Sequence, residues 1–164
     1  RYQFTYPPWE SSRAFYYQHT PIYWKMNTSG ITYEVGDQGE RPWGEWQVLD
    51  KQSHVVVKKI LVYPGERLSL QRHQHRTERW IVTEGEATAY CDGNITVLTV
   101  GESIWIPKRS IHRLSNEGTG PLALIEIQLG DILTEEDIER FTDDYGRVEA
   151  LIGQETQNDS EENS

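Results

Sequence analysis

A chain of 164 residues has room for one domain with a real core and hardly for two. Its 26% of charged residues is ordinary for a globular protein, and a formal net charge of -10 disfavours both nucleic acid and an anionic membrane surface. No window approaches the ~18 uninterrupted apolar residues of a membrane helix and no basic-then-apolar leader is visible; the single cysteine, Cys91, forbids an internal disulfide, so the cytoplasm is the expected compartment.

The acidic excess is local. Glu135, Glu136, Asp137 and Glu139 sit together, followed by Asp143, Asp144 and the tail. Lys58, Lys59, Arg67, Arg72, Arg76, Arg79, Lys108, Arg109 and Arg113 instead flank the polar motifs, so an anionic small molecule remains a fitting ligand.

In chain order, residues 1–25 carry nine aromatics, from Tyr2 to Trp24, with no period of two or 3.6. The chain starts with Arg, and Met26 is its only methionine. One reading makes Met26 the natural start; the other makes the preceding residues an arm that packs on the domain or a partner. Residues 1–40 are set apart as an N-terminal extension.

From Trp46 onward, short runs rich in Val, Ile, Thr and aromatics are broken by Gly, Pro, Asp and Asn, the punctuation of β structure. The expected strands are Trp46–Leu49, Val55–Val62, Ser69–His75, Arg79–Thr83, Ala87–Cys91, Ile95–Val100, Ser103–Ile106, His112–Ser115 and Leu122–Leu129. Asp92-Gly93 marks a tight hairpin, because both residues tolerate positive φ. A helix is expected over Glu135–Phe141, with Thr134 as cap, acidic residues at its start and Arg140 near its end. Beyond Gly153 the tail is polar and acidic, and residues 151–164 are expected to be disordered. Many short strands at this spacing make residues 41–150 a sandwich or barrel.

The stretch LQRHQHRTERW, Leu70 to Trp80, stands out. Gln71, His73 and His75 fall on alternate residues and share one face if the strand runs through them. His-x-His alone is commonly a solvated edge pair, but a wider spacing frames this one. Gly65, Gln71, His73, Glu78 and Gly85 are followed by Gly101, Pro107, His112 and Asn116. These two sets resemble the paired motifs of the cupin superfamily, with Gln71 in the place of a His and Arg109 in the place of a Gly. The resemblance implies an all-β, single jelly-roll barrel, here with a short C-terminal helix.

It also implies that Gln71, His73, Glu78 and His112 converge on one divalent metal. Imidazole with carboxylate or amide oxygen suits zinc, with manganese, iron or cobalt also compatible. The bland alternative is a set of buried polar groups that satisfy each other. His75 is left over as a general base, a fifth ligand or a replacement for Gln71.

Longer words narrow the family. RPWGEWQVLD from Arg41, KKILVYPGERLSLQRHQHRTERWIV from Lys58, IWIPKRSIHRLSNEGTGPLALIEIQLGD from Ile104 and ERFTDDYGR ending at Arg147 resemble the type II mannose-6-phosphate isomerase domain. That domain is commonly the C-terminal part of a bifunctional enzyme with a mannose-1-phosphate guanylyltransferase; the expectation here is the isomerase half, free-standing. The resemblance implies interconversion of mannose 6-phosphate and fructose 6-phosphate through an enediol, with His75 as base and Glu78 the runner-up. Lys58, Arg67, Arg109, Arg113 and Arg147 are the candidates for the phosphate. A sugar-phosphate-binding cupin without turnover and a metal-dependent oxygenase are the competing classes. A homodimer, which would cover exposed strand edges, is the expected assembly.

Overall fold

The computed structural model describes residues 33–146. Eleven strands follow one another: β1 Gln38–Arg41, β2 Gly44–Gln52, β3 Val55–Val62, β4 Leu70–His73, β5 Arg76–Glu84, β6 Ala87–Cys91, β7 Asn94–Leu98, β8 Ser103–Ile106, β9 His112–Ser115, β10 Leu122–Gly130 and β11 Ile138–Thr142. They form two sheets, in the orders β1-β2-β3-β10-β5-β8 and β11-β4-β9-β6-β7, with antiparallel pairing throughout. The all-β barrel expected from the sequence is present.

Strand periodicity decides which side chains point in. β3 alternates strictly and buries Val56, Lys58, Ile60 and Val62. β5 buries Arg76, Glu78, Trp80 and Val82, and β10 turns Leu122, Leu124, Glu126 and Gln128 inward. The register sets Leu124 between Ile60 and Val82, Glu126 between Lys58 and Trp80, and Gln128 between Val56 and Glu78. The interior therefore divides along the strands. One end is an apolar core that includes Trp43, Ile60, Val62, Trp80, Val82, Leu114, Leu122 and Leu124; the other end is polar. At ~25 cal/mol per Å² of apolar area, it is the apolar end that drives folding, which frees the polar end for chemistry.

The hairpin at Asp92-Gly93 forms as expected. Both residues have positive φ, 46° and 87°, and Cys91 pairs with Asn94. Arg109 also adopts a left-handed φ of 67°, so the turn for which the motif has Gly is kept without one.

Three expectations are corrected. Glu135–Phe141 is not a helix: a 3-10 turn covers Glu135–Asp137, and β11 then pairs with β4. Pairing with the barrel outweighs a weak local helix preference, and no side-chain cap bond forms at Thr134. The fold also begins ahead of residue 41, since β1 pairs with β2 and Tyr33 is 2% exposed. Finally, the strand expected to run through His75 ends at His73. Residues 1–32, Arg147 and the acidic tail lie outside the described residues.

Candidate metal centre

Three strand ends bring three side chains together at the polar end of the barrel. His73 closes β4, Glu78 lies near the start of β5, and His112 opens β9. Their side chains are at most 2% exposed. His73 Nε2 lies 3.0 Å from Glu78 Oε1 and His112 Nε2 lies 3.7 Å from Glu78 Oε2. One ligand atom from each lies within 4.8 Å of the others, the geometry of a group able to hold a metal ion.

The outer partners fix the tautomers. His73 Nδ1 faces the carbonyl of Asp137 at 3.3 Å, and His112 Nδ1 faces that of Ser110 at 2.9 Å. A carbonyl only accepts, so Nδ1 carries the hydrogen in both rings and Nε2 presents a lone pair toward Glu78. Buried lone pairs converging on a carboxylate require positive charge among them. Arg76 answers part of that need: its Nε donates to Glu78 Oε1 at 3.0 Å and its Nη2 to His73 Nε2 at 3.3 Å. His112 Nε2 is left buried with no hydrogen-bond partner. That orphaned imidazole nitrogen, in a His₂Glu donor set, fits a divalent cation.

Electrostatics agree. Burial works to raise the carboxyl of Glu78, but positive charge at His73, Arg76 and His112 outweighs it and holds it well below 4.5, a charge that a cation would supply in place of the ring protons. Burial holds His112 below its ordinary 6.5, against the pull of Glu78, so the ring stays neutral and able to ligate.

Gln71 stands opposite His112 in the β4–β9 pairing and faces the same interior. Its Oε1 accepts from Ser69 Oγ at 2.8 Å, which leaves one lone pair. His75 does not share the face of Gln71 and His73. The chain bends at Gln74 and His75, whose N–H groups donate to Asp137 Oδ1 at 3.0 and 3.1 Å, and His75 is exposed. Two residues instead of one separate successive inward side chains, and Arg76 enters the barrel in the place of His75.

Beside the triad lies a cavity of about 60 Å³. Arg41, Lys58, Arg76 and Arg140 bring cationic groups to its lining, Glu78, Glu126 and Glu135 bring carboxylates, and Gln71, Gln128, Trp43 and Trp46 complete the polar and aromatic walls. Lys58, 4% exposed, sits 3.3 Å from Glu135 Oε1 and 3.5 Å from the centre of the Tyr33 ring. Tyr33 donates its hydroxyl to the same Glu135 oxygen. Burial lowers Lys58, and Glu135 opposes that shift. Glu126 is raised to about 7, first by burial and then by the charge of Glu78.

Of the sequence-based phosphate candidates, Lys58 lines this cavity. Arg67 instead pairs with Asp144 at 2.6 Å, Arg113 donates to Thr142 Oγ1 at 2.6 Å, and Arg109 is exposed on its turn. Arg41, Arg76, Arg140, Glu126 and Gln128 were not among the expected site residues. For Glu126 and Gln128 the signal was available: in LALIEIQLG they continue the inward parity of Leu122 and Leu124.

Residues 31–143 match the family described as mannose-6-phosphate isomerase C-terminal. The alginate biosynthesis protein AlgA of Pseudomonas syringae is 51% identical over 111 residues, covering 68% of this chain and 23% of that protein. The mannose-1-phosphate guanylyltransferase of Escherichia coli is 48% identical over 108 residues, covering 66% of this chain and 23% of that protein. The chain thus spans about a quarter of the length of these relatives. Among solved structures, a Klebsiella pneumoniae protein with a double-stranded β-helix domain superposes with a TM-score of 0.55 at 18% identity, covering 73% of this chain and 98% of the other. An RmlC-like cupin from Shewanella frigidimarina gives 0.51 at 24% identity, with 67% and 92% covered. These structural likenesses establish the cupin fold, and the sequence match, which covers more than half of the chain and both motifs that build the triad, goes further: the chain belongs to the mannose-6-phosphate isomerase C-terminal family.

Proposed function

We propose that this domain interconverts mannose 6-phosphate and fructose 6-phosphate with a divalent metal, zinc first by its donor set. The observation that carries the reading is the buried His73–Glu78–His112 triad, whose Glu78 lines a cavity that Arg41, Lys58, Arg76 and Arg140 also line. Membership of the family, and relatives named for mannose 1-phosphate chemistry, support a phosphorylated mannose as substrate.

His73 Nε2, Glu78 and His112 Nε2 would hold the ion, with Gln71 beside them. When bound, the ion supplies fixed positive charge for the oxygens of an aldose–ketose pair, where negative charge develops as the enediol forms. The chain's own residues do the rest. Lys58, Arg76 and Arg140 give the cavity the charge that a phosphate dianion needs, and a guanidinium can grip it by two parallel bonds. Trp43 and Trp46 supply walls that keep water from the reacting carbons.

The test is a coupled assay for fructose 6-phosphate made from mannose 6-phosphate by the metal-loaded protein, repeated after chelation. Turnover that disappears with the metal and returns on its restoration is the expected result; no turnover with any of zinc, manganese, iron or cobalt sinks the reading. A second reading, binding without turnover, is favoured by the guanidinium of Arg76, which already sits 3.3 Å from His73 Nε2. Calorimetric binding of the sugar phosphate without product would select it.

A further inference from the structure

We propose that Glu126 is the catalytic residue that carries the substrate proton between the two carbons of the aldose–ketose pair. The inference rests on the isomerase reading above and adds the group which that reading lacks, since His75 is exposed on a bend outside the cavity.

Three carboxylates line the cavity, and two are committed. Glu78 accepts from Arg76 and Trp80 within the triad. Glu135 is bonded to Tyr33 and paired with Lys58. Glu126 is different: no cationic side chain among the described residues lies within ion-pair distance of it, and its hydrogen bond comes from the neutral amide of Gln128 at 2.6 Å. It is nevertheless 7% exposed, on a strand whose preceding inward residues are Leu122 and Leu124. Its cross-strand neighbour Lys58 is paired with Glu135 instead, and a buried carboxylate left without a direct ion pair is costly, so packing does not account for it.

Its position suits the reaction. Gln128 stands opposite Glu78 across β10 and β5, which makes Glu126 the diagonal neighbour of that triad member, about 7–8 Å away along the sheet. A two-carbon fragment whose oxygens lie at the triad fills such a gap. In the forward direction the Glu126 carboxylate takes the proton from C2 of the aldose. The C–H electron pair becomes the C1–C2 double bond, and the carbonyl pair moves to O1. The O2 hydroxyl then loses its proton as the C2 carbonyl forms, O1 gains one, and the carboxylic acid of Glu126 returns its proton to C1. No oxidant, reductant or further reactant is needed.

The test compares wild-type protein with Glu126→Gln, each loaded with the same metal. Four quantities are read: bound metal, affinity for mannitol 6-phosphate (which has no carbonyl to enolise), kcat, and solvent deuterium entering the carbon-bound positions of the sugar phosphate. For Glu126→Gln we expect metal content and polyol-phosphate affinity within about threefold of wild type. Its kcat should fall about 10²- to 10⁴-fold and deuterium entry should cease. Retained deuterium entry, or a kcat within tenfold of wild type, overturns the proposal. If Glu126→Gln does not fold, Glu126→Asp carries the test, because it keeps the charge and withdraws the carboxylate by one methylene; an undiminished kcat there is equally fatal. Wild-type protein that binds mannitol 6-phosphate but never turns over mannose 6-phosphate removes the isomerase reading and this inference together. Turnover that survives in Glu126→Gln removes the inference alone.

Discussion

At His112 a single nitrogen separates the two accounts of this site. Its Nδ1 hydrogen is spent on the Ser110 carbonyl, and its Nε2 is buried without a partner. A merely structural polar cluster would leave that nitrogen unsatisfied at a cost of about 1–3 kcal/mol. An ion removes the cost. His112→Ala should therefore abolish stoichiometric metal, measured by elemental analysis, and turnover with it. His75→Ala should leave both within about twofold, because an exposed surface position carries little; loss of turnover there would restore His75 as a proton carrier. His73, Glu78 and His112 were legible from sequence because their spacing follows the two motifs. His75 was misplaced because alternation presumes an unbroken strand, and nothing in LQRHQHRTERW announces that Gln74 and His75 leave the pairing. Arg76 was hidden by the same presumption.

At the scale of the element, β11 and the turn before it hold that bend in place. The carboxylate of Asp137 accepts the N–H groups of Gln74 and His75, its carbonyl faces His73 Nδ1, and Arg76 Nη1 lies 3.9 Å from Oδ2. One residue of the turn before the second sheet's edge strand thus positions both a ligand and the resident guanidinium. Asp137→Ala strands two backbone donors and should cost about 1–3 kcal/mol in urea unfolding. It should also weaken metal binding about 10- to 100-fold, as loss of the groups that orient ligands generally does. Glu139→Ala, two residues further on in β11 but paired with Arg72 at the surface, is the control and should change neither. Equal effects from the two substitutions would reduce β11 to a generic edge strand. This segment was hard to read from sequence for a physical reason. The run Thr134–Phe141 has a helix's acidic start, yet Glu135 and Asp137 are placed by partners more than 60 positions away, Lys58, Gln74 and His75. Local propensity carries no trace of such partners.

For the whole molecule, the division of the interior into an apolar and a polar end gives stability an unusual response to pH. Glu78 and His112 are both shifted down in the folded protein. Each therefore contributes stability that is present above its ordinary value, 4.5 or 6.5, and is lost on acidification below it. Glu126 works in the opposite sense. Its folded value of about 7 lies above the ordinary 4.5, so its contribution is full below 4.5 and is lost as pH rises through 7. In metal-free protein the trends of His112 and Glu126 oppose each other between 4.5 and 6.5, and that of Glu126 alone continues toward 7. Glu126→Gln deletes one of them. Urea unfolding of the metal-free variant and wild type at pH 5, 6, 7 and 8 should give a stability difference that moves in the variant's favour as pH rises, and levels off above 7. A difference that is flat, or that favours wild type with rising pH, would mean that Glu126 carries no displaced proton. Saturating metal should then add about 2.7 kcal/mol at a hundredfold excess over Kd. It should also flatten the pH trend, because a divalent charge at the triad favours the carboxylate of Glu126 at every pH in the window.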